Sequence, residues 1–127
     1  MGSLVERKNM SLFPKIKICG ITNLADAEKS ILLGADFLGF IQYSKSPRYV
    51  KPSHTTKMLE QLNEFDCQKV LVDVNPEPST LADYKEQGFD YFQLHFPCDL
   101  ATRYLEEWKE VVGIDKLWLA PKLLPKQ

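Results

Sequence analysis

No stretch of the chain approaches the ~18 consecutive apolar residues of a membrane-spanning helix, so a membrane role is not expected. The opening segment, MGSLVERKNM, lacks the apolar core of a secretory signal. Met1-Gly2 would begin a myristoylation site, but Glu6 stands where Ser or Thr is required. Runs of Lys or Arg are also missing. Sixteen basic residues face seventeen acidic ones, for a net charge of −1, and without a basic stripe no nucleic-acid partner is expected. Cysteine is scarce: Cys19, Cys67 and Cys98 are odd in number, far apart and free of any CxxC pattern. That argues against a disulfide framework and makes a reducing cytoplasm the expected compartment. Neither a Walker loop, a GxGxxG fingerprint nor a metal-ligand spacing occurs.

What remains is an ordinary globular composition, 44% hydrophobic and 11% aromatic, too apolar for a disordered chain. At 127 residues it makes one domain, able to bury roughly two thirds of its unfolded surface. The periodicities alternate in type. Lys15–Cys19 (KIKIC) alternates like a short strand. Asn23–Leu33 reads as a helix capped by Asn23, with Leu24, Ala27 and Ile31 on one face and Gly34 ending it. Phe37–Gln42 is an apolar run of strand length, and Ser53 opens a second helix carrying Met58, Leu59, Leu62 and Phe65. Val70–Val74, a helix over Ser79–Gln87, a strand at Tyr91–Leu94, a long helix capped by Asp99 and a strand at Lys116–Ala120 complete the pattern.

Five strands interleaved with four helices predict a parallel sheet with right-handed crossovers, built from units of about 25 residues. Two architectures share this rhythm, a five-stranded doubly wound sheet and a (β/α)8 TIM barrel. Pro121 and Pro125 flank the fifth strand, where a doubly wound domain would continue into a helix, and only two residues follow. A barrel needs about 200 residues. The expectation is therefore a partial (β/α)8 barrel over residues 15–127, strands one to five, preceded by a flexible extension at 1–14.

In either architecture, chemistry collects at the carboxyl ends of the strands. Those positions hold Cys19, Ser46-Pro47-Arg48, Asp73 and Asn75, Gln93 and His95, and Lys122. Cys19 has two readings: a small buried hydrophobe, or a reactive thiol beside Gly20, with Lys17 on the same strand face to favour the thiolate. Arg48, in a proline-stiffened turn, is either a solvated loop charge or a guanidinium fork for a carboxylate or phosphate. His95 suits a structural hydrogen bond as well as a site. Cys67 and Cys98 are expected to be structural.

The segments KIKICGIT (15–22), Asp26-Ala27, Gly34-Ala35-Asp36, Gly39-Phe40-Ile41, SPRYV (46–50), Val74-Asn75 and Gln93-Leu94-His95 together resemble the phosphoribosylanthranilate isomerase family. The likeness runs from Lys15 to about Pro121, and KICGIT with SPRYV at this spacing is specific. The resemblance implies a (β/α)8 barrel and a cofactor-free Amadori rearrangement of N-(5-phosphoribosyl)anthranilate in tryptophan biosynthesis. It further implies that Cys19 is the general base, Arg48 the holder of the anthranilate end, and Gln93 and His95 substrate-binding residues. The family's general acid, an Asp ending strand six, and its glycine-rich phosphate loops after strands seven and eight have no counterpart here. The chain also departs from the pattern at Leu71 and Phe96, commonly Gly, and at Asp73, usually apolar. These read as subfamily features. Without the missing parts, residues 1–127 alone are expected to be inactive and to self-associate through open barrel edges. The alternatives are a non-catalytic five-stranded receiver-like domain, which would want paired acids where Cys19-Gly20 stands, and a degenerate barrel serving as an interaction module.

Overall fold

The computed structural model describes residues 14–122, so the expected extension at 1–14, the Met1-Gly2 motif and Pro125 fall outside the described residues, Pro14 alone excepted. Its strands are β1 (Lys17–Cys19), β2 (Phe37–Ile41), β3 (Gln68–Val74), β4 (Tyr91–Pro97) and β5 (Leu117–Lys122). The helices α1 (Leu24–Leu32), α2 (Pro52–Gln61), α3 (Pro78–Lys85) and α4 (Thr102–Val112) alternate with them, and a single 3₁₀ turn at Ile114–Lys116 leads into β5. All neighbouring strands pair in parallel, and their spatial order is their sequence order.

That order decides between the two architectures left open above. A doubly wound sheet reverses direction at a switch point, giving orders such as 2-1-3-4-5. A barrel winds one way only. The sheet here is singly wound, which rules out the receiver-like alternative and matches a barrel sector.

Alternation along the strands then separates two faces. Leu38 and Phe40 of β2, Leu71 of β3 and Phe92, Leu94 and Phe96 of β4 pack into one cluster with the apolar stripes of the helices, including Ala27, Met58, Leu62, Leu81 and Trp108. The Trp108 indole donates to the carbonyl of Pro76 at 2.9 Å, tying α4 to the loop before α3 without leaving a buried donor unpaired. The opposite, inner face carries Lys17 and Cys19, Gly39 and Ile41, Val70 to Val74 in alternation, Gln93, His95 and Trp118, as the register pairs them. Near its amino-terminal end Phe37, Tyr91 and Trp118 form an aromatic cluster with centroids 5.0–6.0 Å apart.

Several boundaries differ from expectation for local reasons. Asn23 caps α1 as expected, its side chain accepting from the Asp26 N–H at 2.8 Å. Ser53 does not cap α2: Pro52 occupies the first helical position, after Lys51. Asp99 does not cap α4 either, because β4 runs on through His95-Phe96-Pro97 and the following turn, closed by Leu100 N–H on Pro97 O at 3.0 Å, delays the helix to Thr102. No helix among the described residues is long and apolar enough to cross a membrane.

Candidate active site

Cys19 ends β1, exposed on the inner face. Two glycines shape its surroundings. A side chain at Gly39, its partner across the β1–β2 pair, would place a Cβ 3.1 Å from Cys19 Sγ and 3.4 Å from Lys17 Cε. The bare glycine thus gives the thiol and the lysine stem one shared niche. Gly20 follows Cys19 at φ +87°, a left-handed conformation that glycine adopts without strain. The N–H groups of Gly20 and Ile21 both donate to Gly39 O at 3.0 Å, bending the chain out of the sheet directly after the thiol.

Arg48 comes to this bend from the β2–α2 loop. Its Cδ lies 2.6 Å, and its Nη1 3.2 Å, from where a Gly20 Cβ would be, so the guanidinium stem rests on the glycine. The loop that carries it is tightly held. Ser46 Oγ accepts from Arg48 N–H at 3.2 Å, and Val50 N–H returns to Ile41 O at 3.3 Å. Beneath the loop, buried Gln42 donates to Val50 O at 2.9 Å and Thr55 Oγ1 at 3.1 Å. Gln42 escaped the sequence reading because it ends an apolar run and shows no motif.

A second polar group crosses the sheet. Lys17 Nζ donates to Gln93 Oε1, and Gln93 Nε2 lies 2.9 Å from His95 Nε2. Burial, then the Lys17 ammonium, push His95 below its ordinary value. Burial likewise lowers Lys17, with the Cys19 charge acting against it. Toward the carboxyl ends of β2 to β5 the inner face opens into a basin of about 600 Å³. Ile41, Val72 and Val74 make its apolar floor, and Tyr43, His95 and Lys122 bring polar ends to it. Tyr43, nearer the end of β2 than Arg48 in the same loop, carries no motif that marks it in the sequence.

The residues singled out from sequence thus fall into groups. Arg48 rests on Gly20, the residue after Cys19, Gln93 meets His95 through its amide, and Lys17 shares the Gly39 niche with Cys19 while donating to Gln93. Lys122 reaches the basin rim. Asn75 adopts φ +46° and donates its N–H to His95 O at 2.7 Å, a backbone role. Asp73 leaves the set. It pairs with Leu94 on the helix-facing side of the sheet, buried, where the Tyr84 hydroxyl is its side-chain partner. Burial raises its carboxyl to about 6, against the opposing hydrogen bonds from Val74 N–H and Tyr84, and Tyr84 is pushed up to about 12 by burial and the Asp73 charge. Cys67 is buried in the helix–sheet core, as a structural thiol should be, whereas Cys98 is exposed in the turn after β4. Among the described residues no His, Cys, Asp or Glu cluster has the arrangement of a metal site.

A family profile for N-(5'-phosphoribosyl)anthranilate (PRA) isomerase matches residues 16–122. The chain belongs to this family. The PRA isomerase of Aquifex aeolicus is 39% identical over 103 residues, covering 81% of this chain and 48% of the relative. That of Nitratiruptor sp. is 47% identical over 86 residues, 67% of this chain and 43% of the relative. A crystallised PRA isomerase in complex with reduced 1-(o-carboxyphenylamino)-1-deoxyribulose 5-phosphate superposes with a TM-score of 0.71 at 32% identity, over 86% of this chain and 53% of the other. The Thermotoga maritima enzyme gives 0.71 at 28% identity, over 91% and 64%. These neighbours are of the (β/α)8 barrel type, and the chain spans about half the length of the curated relatives it matches.

Proposed function

We propose that this chain supplies the proton-abstracting half of a PRA isomerase, acting on N-(5-phosphoribosyl)anthranilate in tryptophan biosynthesis. The observation that carries the reading is the Arg48 stem resting on Gly20, the residue directly after Cys19, at the carboxyl end of β1. A thiol and a guanidinium fork brought to the same strand end suit a substrate that carries a carboxylate on one end of the bond to be rearranged.

In the reaction, protonation of the furanose oxygen opens the ring to an iminium. A base then removes the C2′ proton, and the resulting enolamine tautomerises to the ketone. The adjacent iminium acidifies the C2′ proton, so a base as modest as the Cys19 thiolate suffices. Arg48 holds the anthranilate carboxylate by charge-assisted hydrogen bonds, and Gln93 and His95 flank the substrate. The ring-opening acid is not Asp73, whose carboxyl lies on the helix side of the sheet. A base of this kind works in a reducing compartment, which fits the cytoplasm, and each step of this chemistry runs without metal or organic cofactor.

The test is turnover by residues 1–127 combined with the C-terminal half of a relative. Conversion of N-(5-phosphoribosyl)anthranilate is expected, and its loss when Cys19 is alkylated. If the relative's own two halves recombine to an active enzyme while the hybrid folds and stays silent, the assignment fails.

A further inference from the structure

The chain Lys17–Gln93–His95 has a direction built into it. An ammonium has three donors and no acceptor, so the end of the Gln93 amide that meets Lys17 is its oxygen. The opposite end is then the NH₂ group, a donor only, and it lies 2.9 Å from His95 Nε2. A hydrogen bond there requires a lone pair on Nε2. The His95 ring that accepts it is neutral and carries its proton on Nδ1; a doubly protonated ring would set N–H against NH₂.

We infer that Lys17, acting through Gln93, is a positioning residue that fixes which nitrogen of His95 bears the proton, leaving Nδ1–H as the donor this ring offers to an acceptor oxygen of the molecule in the basin. His95 lines that basin, and among the described residues no protein group takes up its Nδ1. Burial and the Lys17 charge act in the same direction by disfavouring the imidazolium. The ionisable groups facing the ring are Lys17 from β1 and Tyr43 and Lys122 at the basin, with Cys19 beyond Lys17. The inference rests on the isomerase reading for the identity of the ligand, but the protonation state itself does not depend on it.

The chain has only two histidines, His54 on α2 and His95, so imidazole ¹⁵N NMR of the chain labelled at histidine resolves both. In the wild type, His95 is expected as the Nδ1–H tautomer at pH 7, titrating below its ordinary 6.5. In Lys17→Met the amide is free to turn, so the Nε2–H tautomer gains population and the midpoint rises, as removal of a nearby like charge requires. Lys17→Arg, again a donor-only cation, restores the wild-type tautomer. Gln93→Glu reverses the polarity: its carboxylate accepts from Lys17 and from His95, so Nε2 becomes protonated and the midpoint rises above 6.5. His54 signals and protection of the Cys67 thiol report that each variant is folded. A wild-type His95 protonated on Nε2, or a folded Gln93→Glu with Nε2 still bare, overturns the inference. With these tautomers as described, absence of isomerase turnover after recombination with the C-terminal half of a relative would instead overturn the functional reading alone.

Discussion

Arg48 rests on the residue directly after Cys19 because position 20 has no side chain. If the guanidinium pairs with the anthranilate carboxylate, Arg48→Ala in an enzyme with a complete barrel should lose roughly 2–4 kcal/mol in kcat/KM, the scale of a broken charge-assisted contact. Arg48→Lys should recover only part, because an ammonium lacks the planar fork. Steady-state kinetics check both, and an unchanged Arg48→Ala would make the residue a solvated loop charge. Asp73 teaches a different lesson. Its place at a strand end suggested the rim, yet Val70, Val72 and Val74 occupy the inner positions of β3, so position 73 faces the helices. Alternation read strictly within that strand would have removed it from the candidates. Its raised carboxyl makes a pH prediction. The folded chain holds this proton more tightly than the unfolded one, so between pH ~4 and ~6 stability falls as pH rises, then levels off. Asp73→Asn should keep the Tyr84 hydrogen bond, flatten that slope and melt higher than wild type at pH 8. His95, lowered instead, contributes a slope of opposite sign, so the comparison is with wild type at each pH. Melting curves that coincide at pH 8 would count against a buried, penalised carboxylate.

At the scale of elements, what was legible was the alternation of strand and helix, because short apolar runs of strand length alternate with segments carrying apolar residues at helical spacing. Starts of helices were less so. Asn23 was readable as a cap: its Oδ1 accepts from Asp26 N–H while its amide NH₂ donates to the Asp26 carboxylate. Ser53 and Asp99 looked like equally good caps, but Pro52 claims the first turn of α2 and the longer β4 displaces α4. The difference is measurable in chemical denaturation. Asn23→Ala should cost about 1 kcal/mol, a typical capping loss, whereas Asp99→Ala, exposed in its turn, should shift the midpoint scarcely at all. Equal losses from the two would mean that Asp99 has a structural role the turn does not reveal. The extension of β4 to Pro97 also escaped the sequence, because His95 and Pro97 interrupt an apolar pattern, and they do so because they face the basin side rather than the core.

At the scale of the whole molecule, the singly wound strand order could be anticipated only by arithmetic, since repeat length is the same in open and closed sheets. Two features at the flanks follow from it. Ile18 on β1 and Leu119 on β5 are 39% and 42% exposed, while Leu38, Phe40, Leu71 and Leu94 between them are fully covered. The edges of β1 and β5, and the aromatic cluster of Phe37, Tyr91 and Trp118, are surfaces that a closed barrel would pack. The isolated 127-residue chain should therefore elute as a self-associated species in size-exclusion chromatography and shift to a one-to-one complex when the C-terminal half of a relative is added. A monomer that melts cooperatively and ignores the added half would contradict this view of the edges.

The central claim is that Cys19, in the niche opened by Gly39, takes the C2′ proton. The most direct measurement is the turnover of Cys19→Ser in an enzyme with a complete barrel, with Cys67→Ser and Cys98→Ser alongside. A fall in kcat of at least ~10²-fold with little change in KM is the outcome predicted for a lost general base, and both controls should stay near wild type. Full turnover by Cys19→Ser would contradict the account.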